Sequence, residues 1–173
     1  MKKLLAIALC LTLALCAASA FALETVTIAA TPVPHVVILE FVAPFMEELG
    51  YELDIRTFND YVLPNQVVES GEMDGNYFQH VAYLNTFNSE NGTHLVTAIP
   101  VHFEPMGVFK GKCDSLDTLP DGAVIGVPND TSNEYRALAL LQEIGLITLD
   151  PEAGVTASKL DIIDNPKNLE IVE

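Results

Sequence analysis

Short β-branched runs and longer segments with helical apolar spacing take turns along residues 25–99, and no other sequence feature restricts the fold so strongly. Thr25-Val-Thr-Ile-Ala-Ala30 alternates and reads as a buried first strand. Thr31-Pro-Val-Pro34 is a stiff loop. His35 to Leu49 then carries Val36, Val37, Leu39, Val42, Ala43, Met46 and Leu49 at helical spacing and stops at Gly50. Pro44 inside this helix predicts a kink. Glu52-Leu-Asp-Ile-Arg-Thr-Phe58 reads as a second strand, and a short helix is expected to begin near Pro64 and end at Ser70-Gly71. Met73–Tyr77 is a third short strand, Gln79–Asn91 a helix closed by Asn91-Gly92, and His94–Ile99 a fourth strand. The order β-α-β-α-β-α-β is that of an α/β fold with a mostly parallel sheet flanked by helices.

Beyond this point the texture changes. Pro100 to Pro120 is rich in Pro, Gly and polar residues and reads as a crossing segment. Ala123-Val-Ile-Gly-Val127 is a new buried strand. Pro128-Asn-Asp-Thr-Ser-Asn133 turns into the helix Glu134–Ile144, capped by Gly145. Asn165-Pro166-Lys-Asn-Leu-Glu-Ile-Val172 is a loop followed by another strand. These segments divide the chain into residues 1–22, residues 23–103 as a first, incomplete α/β lobe, and residues 104–173 as the crossing segment plus part of a second α/β lobe. No internal repeat or low-complexity tract interrupts them.

The opening MKKLLAIALCLTLALCAASAFA has two lysines, an apolar run, and Ala-x-Ala sites at Ala18–Ala20 and Ala20–Ala22. That is the pattern of a secretory signal peptide, too short and wrongly flanked for a transmembrane helix. Cleavage is expected after Ala22. Lipid attachment at Cys16 is the competing reading, although Leu15 stands where a lipobox carries a small residue. Export would remove Cys10 and Cys16, leaving Cys113 as the one thiol and no internal disulfide, so the core must hold the fold. The formal charge of −16 becomes −18 once Lys2 and Lys3 leave. Such a surface repels nucleic acid and anionic membranes, so no nucleic-acid partner is expected.

In an open α/β sheet, ligands sit beyond the carboxyl ends of the strands. Three segments fall there: Phe58–Asn65, Asn76–His80 and Pro128–Arg136. The first two bring aromatics. Tyr61, Tyr77, Phe78 and Tyr83 each suit a core position singly, but clustered at strand ends they suit a pocket wall. His80 has three readings. As a general base it lacks a Ser or Cys partner motif. As a metal ligand it lacks companions, because His35, His94 and His102 are scattered and no His-x-x-x-His or Cys-x-x-Cys spacing occurs. A hydrogen-bonding histidine that lines a pocket or caps the next helix remains. Neither metal nor cofactor is expected. Asn133 and Arg136, three apart, share one helical face near its start, where a guanidinium fork and the helix N-terminus both favour a carboxylate. The alternative is a surface arginine paired with one of many acids, but Arg56 and Arg136 are the only arginines. Cys113, beside Lys112 in a loop, is incidental.

FNDYVLPN, GNYFQHVAYL, VPNDTSNEYRALALLQ and NPKNLEIVE, in that order, resemble the methionine-binding lipoprotein (MetQ/NlpA) family, substrate-binding proteins of ABC importers. The resemblance covers nearly all of the chain after the leader. It implies a periplasmic-binding-protein type-II-like fold, present here as the first lobe and part of the second, in an exported protein of the periplasm or cell envelope. It implies no enzyme activity. The implied ligand is L-methionine or a related amino acid or short peptide, and the implied partner is an ABC permease with its ATPase. By motif, the implied ligand-binding residues are Tyr61, Phe78, His80, Tyr83, Asn133 and Arg136. The weak lipobox departs from the family pattern. So does the length, since family members continue past NPKNLEIVE, and the chain is expected to be truncated relative to them. A remnant or surface antigen that binds nothing, and a hydrolase using His80 or Cys113, are the alternative readings.

Overall fold

A computed structural model describes residues 22–173. The leader reading, with Cys10 and Cys16, lies outside the described residues apart from Ala22. The chain divides into two compact units, one up to Gln79 and one from His80 to Glu173.

In the first unit, β1 (Glu24–Ala30) is the centre of a three-stranded parallel sheet. It pairs with β2 (Tyr51–Thr57) from Glu24↔Tyr51 to Ala30↔Thr57, and with β3 (Gly75–Tyr77) from Ile28↔Gly75 to Ala30↔Tyr77. The central position explains the small residues at its end: Ala29 and Ala30 are fully buried. The crossover from β1 to β2 is α1 (Val37–Glu48), preceded by an irregular turn at Pro32–Val36. The helix passes through Pro44 without a break. The proline withholds one donor from the carbonyl of Glu40, and Glu40 lies on the exposed side, where water can take that carbonyl instead. The outer face of α1 carries Val37, Phe41 and Phe45, all exposed, with the two phenylalanine rings 5.8 Å apart. The crossover from β2 to β3 is α2 (Leu63–Glu69), with Pro64 in its first turn as expected. β3 is shorter than the sequence suggests. Met73 gives its N–H to Val67, and Asp74 is drawn to Thr27, accepting from its backbone N–H at 2.8 Å and its hydroxyl at 2.7 Å.

The second unit opens with α3 (Val81–Asn91). Gly92 ends it at φ +67°, a left-handed conformation that glycine reaches without steric cost, as the Asn91-Gly92 pair predicts. The expected strand His94–Ile99 is absent. Asn88 occupies the groups a neighbouring strand would use, donating to the Leu95 carbonyl at 2.8 Å and accepting its N–H at 3.3 Å. Val96 and Ile99 are left 85% and 73% exposed. Further on, β4 (Val124–Gly126) pairs in parallel with β7 (Glu170–Val172), and α4 (Thr131–Glu143) follows β4. A small antiparallel pair, β5 (Thr148–Leu149) with β6 (Ile162–Asp164), was not foreseen. Val127, Leu138, Leu141, Leu146, Ile147, Leu149, Ala157 and Leu169 form the core of this unit.

The compact units meet in sequence at Gln79–His80, whereas the sequence texture changes near residue 103. The reason is local: α3 is tied to α4 through His80 and Asn133, and through Thr131 and Glu90. No helix among the described residues is long and apolar enough to cross a membrane.

Candidate functional site

Tyr61 and Phe78 belong to the first unit. Asp60 accepts the N–H groups of Val62 at 2.8 Å and Leu63 at 2.7 Å just before α2, and so fixes the turn that carries Tyr61. Phe78 lies just past the end of β3. The two rings are 5.6 Å apart and tilted by 30°. Phe78 is 8% exposed while Tyr61 is 50% exposed, so the pair has one anchored ring and one accessible ring. Three amides brace these segments. Fully buried Asn65 accepts from Asn76 at 2.9 Å and from Gln79 at 2.7 Å, and donates to Gln79 at 3.1 Å. Asn76 and Gln79 flank Phe78 in sequence, and Asn65 sits on the first turn of α2. The brace therefore links the two segments that bear the aromatic pair. Behind it, the rings of His35 and Tyr77 meet edge-on at 4.9 Å, and Thr31 bonds His35 at 2.7 Å.

His80, Tyr83, Asn133 and Arg136 belong to the second unit. His80 caps α3: its Nδ1 accepts the backbone N–H of Tyr83 at 3.1 Å. A nitrogen that accepts carries no proton, so the neutral ring has its proton on Nε2. That Nε2 lies 2.8 Å from Oδ1 of Asn133, a group that only accepts. Both ring nitrogens are thus engaged in orienting bonds, and neither faces a serine or cysteine. Tyr83 is buried beside His80, ring centroids 6.4 Å apart, and beside Phe87 at 6.1 Å. Tyr83 therefore packs between the rings of His80 and Phe87.

Asn133 is the hub of this half. Its Oδ1 accepts from His80 and from Nη1 of Arg136 at 2.8 Å, and its Nδ2 faces the two carboxylate oxygens of Asp130 at 3.1 and 3.0 Å. Asp130 also accepts the backbone N–H of Asn133 at 3.0 Å, as the N-cap of α4. The helix starts at Thr131, three residues before the sequence placed it, because of this cap. Arg136 also donates from Nη2, at 3.2 Å, to the backbone carbonyl of Glu104. Both of its acceptors are neutral oxygens. By contrast, Arg56, Lys110, Lys159 and Lys167 each lie within 4 Å of a carboxylate: Asp54 at 2.8 Å, Asp114 at 3.6 Å, Glu173 at 2.8 Å and Asp121 at 3.7 Å.

The structure therefore brings the candidate residues together as two sets, Tyr61 with Phe78, and His80 with Tyr83, Asn133 and Arg136. Sequence reasoning missed Asp130 and the amides of Asn65, Asn76 and Gln79. Asp130 was findable, since an Asp three residues before Asn133 at a helix start is a capping signal. The amide brace left no such signal, because its members meet only once β1, α2 and β3 are assembled.

Parallel strands joined through helical crossovers place the chain in the α/β class. The chain belongs to the NlpA lipoprotein family, whose sequence model matches residues 26–173. It is 44% identical over 127 residues to the D-methionine-binding lipoprotein MetQ of Salmonella typhimurium, covering 73% of this chain and 47% of that protein. It is 42% identical over 149 residues to the methionine-binding lipoprotein MetQ of Bacillus subtilis, covering 85% and 54%. Among solved structures, a lipoprotein from Ruminococcus gnavus superposes with a TM-score of 0.83 at 53% identity, covering 87% of this chain and 62% of that one. A nutrient-binding protein from Burkholderia cenocepacia, bound to methionine, superposes with a TM-score of 0.80 at 40% identity, covering 86% and 63%. The chain thus spans about half the length of these curated relatives, and its fold is the type-II-like α/β fold of these binding lipoproteins, first lobe and part of the second.

Proposed function

We propose that this protein is a non-enzymatic substrate-binding component of an ABC importer, acting at the cell envelope on L-methionine or a closely related amino acid or short peptide. The observation that carries this reading is Arg136. In a chain with 24 acidic and 8 basic residues, this half-buried guanidinium is held by two neutral carbonyl oxygens and, among the described residues, makes no bond to a carboxylate. A cation so held keeps its charge for an anion brought from outside, and its planar fork suits an α-carboxylate. Tyr61 and Phe78 supply the kind of surface a thioether favours, since sulfur is attracted to aromatic rings. His80 and Asn133 orient the guanidinium, and Tyr83 backs His80. Relatives that bind methionine, one of them solved with methionine bound, support the ligand class. The engagement of both nitrogens of His80 speaks against a hydrolase.

The test is thermal unfolding of the chain from residue 23 onward with L-methionine, D-methionine or L-alanine. A ligand at 100 times its dissociation constant adds about 2.7 kcal/mol to the native state, raising the midpoint by several degrees in a domain of this size. A shift for either methionine and none for alanine is the expected result. Equal midpoints for all three at millimolar ligand would overturn the reading.

A further inference from the structure

We propose that Asp130 is a positioning residue for the ligand site, fixing Asn133 so that Arg136 is presented without being neutralised. The argument is one of hydrogen-bond polarity. A carboxylate only accepts, so the two oxygens of Asp130, at 3.1 and 3.0 Å, hold the NH2 end of Asn133 toward them. The carbonyl end must then point the other way. There it meets two groups that donate, Nε2–H of His80 at 2.8 Å and Nη1–H of Arg136 at 2.8 Å. The amide is a spacer: it lets an acid stabilise the orientation of the arginine while keeping the acid off it. A direct Asp–Arg pair in its place would satisfy the fork that a ligand carboxylate needs.

The Oδ1 of Asn133 accepts two bonds, which fills its usual capacity, and one N–H of its Nδ2 is shared between the two oxygens of Asp130. A guanidinium has five N–H donors, and Arg136 uses two in its bonds to Asn133 and Glu104. The guanidinium therefore keeps further N–H donors for a ligand carboxylate. Asp130 has one further partner, the hydroxyl of Ser132 at 2.9 Å, which helps to fix the carboxylate itself. The same carboxylate caps α4, so the cap and the orientation of Asn133 depend on one side chain.

The inference rests on the proposed binding of an amino-acid carboxylate by Arg136, and its test separates the two. Asp130→Ser keeps a good N-cap, since serine caps about as well as aspartate, but its single hydroxyl cannot clamp the amide of Asn133. Titrations with L-methionine and with L-methioninamide, which lacks the carboxylate, are compared in both proteins. Expected is a loss of about tenfold in methionine affinity, with methioninamide affinity unchanged and part of the loss recovered in Asp130→Asn, which restores one carbonyl acceptor. Equal losses for both ligands would mean that Asp130 serves general structure, and would overturn the proposal. The side-chain NMR signals of the guanidinium groups give a readout without ligand, and with two arginines in the chain they are readily assigned. The Arg136 signal should broaden in Asp130→Ser. Should the unaltered chain bind neither ligand, the methionine reading fails, and this signal alone decides the positioning role: broadening sustains it, an unchanged signal refutes it.

Discussion

Replacing Asn133 by leucine, which has the same branching of heavy atoms, tests whether the hub supports the second unit as well as a ligand. The change removes one acceptor and one donor group. His80 Nε2–H and Arg136 Nη1–H lose a shared partner at 2.8 Å each, and Asp130 loses the amide facing its carboxylate at 3.1 and 3.0 Å. Bonds to charged groups contribute about 1.5–3 kcal/mol each when well shielded, and neutral ones about 1 kcal/mol. Asn133 and Arg136 are half-buried, so water recovers part of this, and the low end applies. The expected destabilisation is about 2–3 kcal/mol. It should appear in urea unfolding followed by circular dichroism as a lower midpoint with an unchanged slope. Asn129→Leu, at an exposed position two residues before α4, is the control and should stay within about 0.5 kcal/mol. If the two variants unfold alike, the hydrogen-bond reasoning for the hub is refuted.

His80→Ala removes the side-chain acceptor at the start of α3 and should cost about 0.5–2 kcal/mol in the same assay; no loss would mean that the cap is idle. Leu138→Ala opens a cavity at a residue 0% exposed and should cost about 2–5 kcal/mol, read from the denaturation midpoint. Asp74 has its pKa held below the usual aspartate value by the backbone N–H of Thr27 first and its hydroxyl second. The folded state thus favours the ionised carboxylate. The stabilisation is present above about pH 4, the unfolded aspartate range, and is lost as pH falls through the lowered folded value. Stability measured from pH 5 downward should therefore fall less steeply in Asp74→Asn than in the unaltered chain, and parallel slopes would count against this account.

Most of the fold is legible in the sequence wherever one short segment holds its own cause. The alternating, β-branched run at Thr25–Ala30 signals a strand, and it becomes the centre of the first sheet. Gly92 closes α3 because a helix ending there needs a left-handed residue. The errors arise where a distant partner decides. His94–Ile99 has the apolar, β-branched composition of a strand, yet Asn88 takes the backbone groups of Leu95, and no described strand supplies a ladder. The two-residue strand Thr148–Leu149 is too short for any periodicity to register. At the site, the residue types of the Asn133–Arg136 pair were readable from a helix face. The sense of the hydrogen bonds was not, because it is imposed by Asp130 and by the cap at His80, 53 residues before Asn133.

The pairing of β4 with β7 joins Val124 to Glu170 across a long stretch of chain, whereas β1 and β2 meet across a single helix. Contacts between near neighbours close quickly, and those between distant segments pay a larger loop-closure entropy. The first unit can therefore organise as soon as residue 77 is available, while the parallel ladder of the second waits for residues 170–172. Until then β4 has an unpaired edge, and Val127 and Leu169 lack a completed core around them. That interval is when the second unit is most open to wrong partners and to proteolysis.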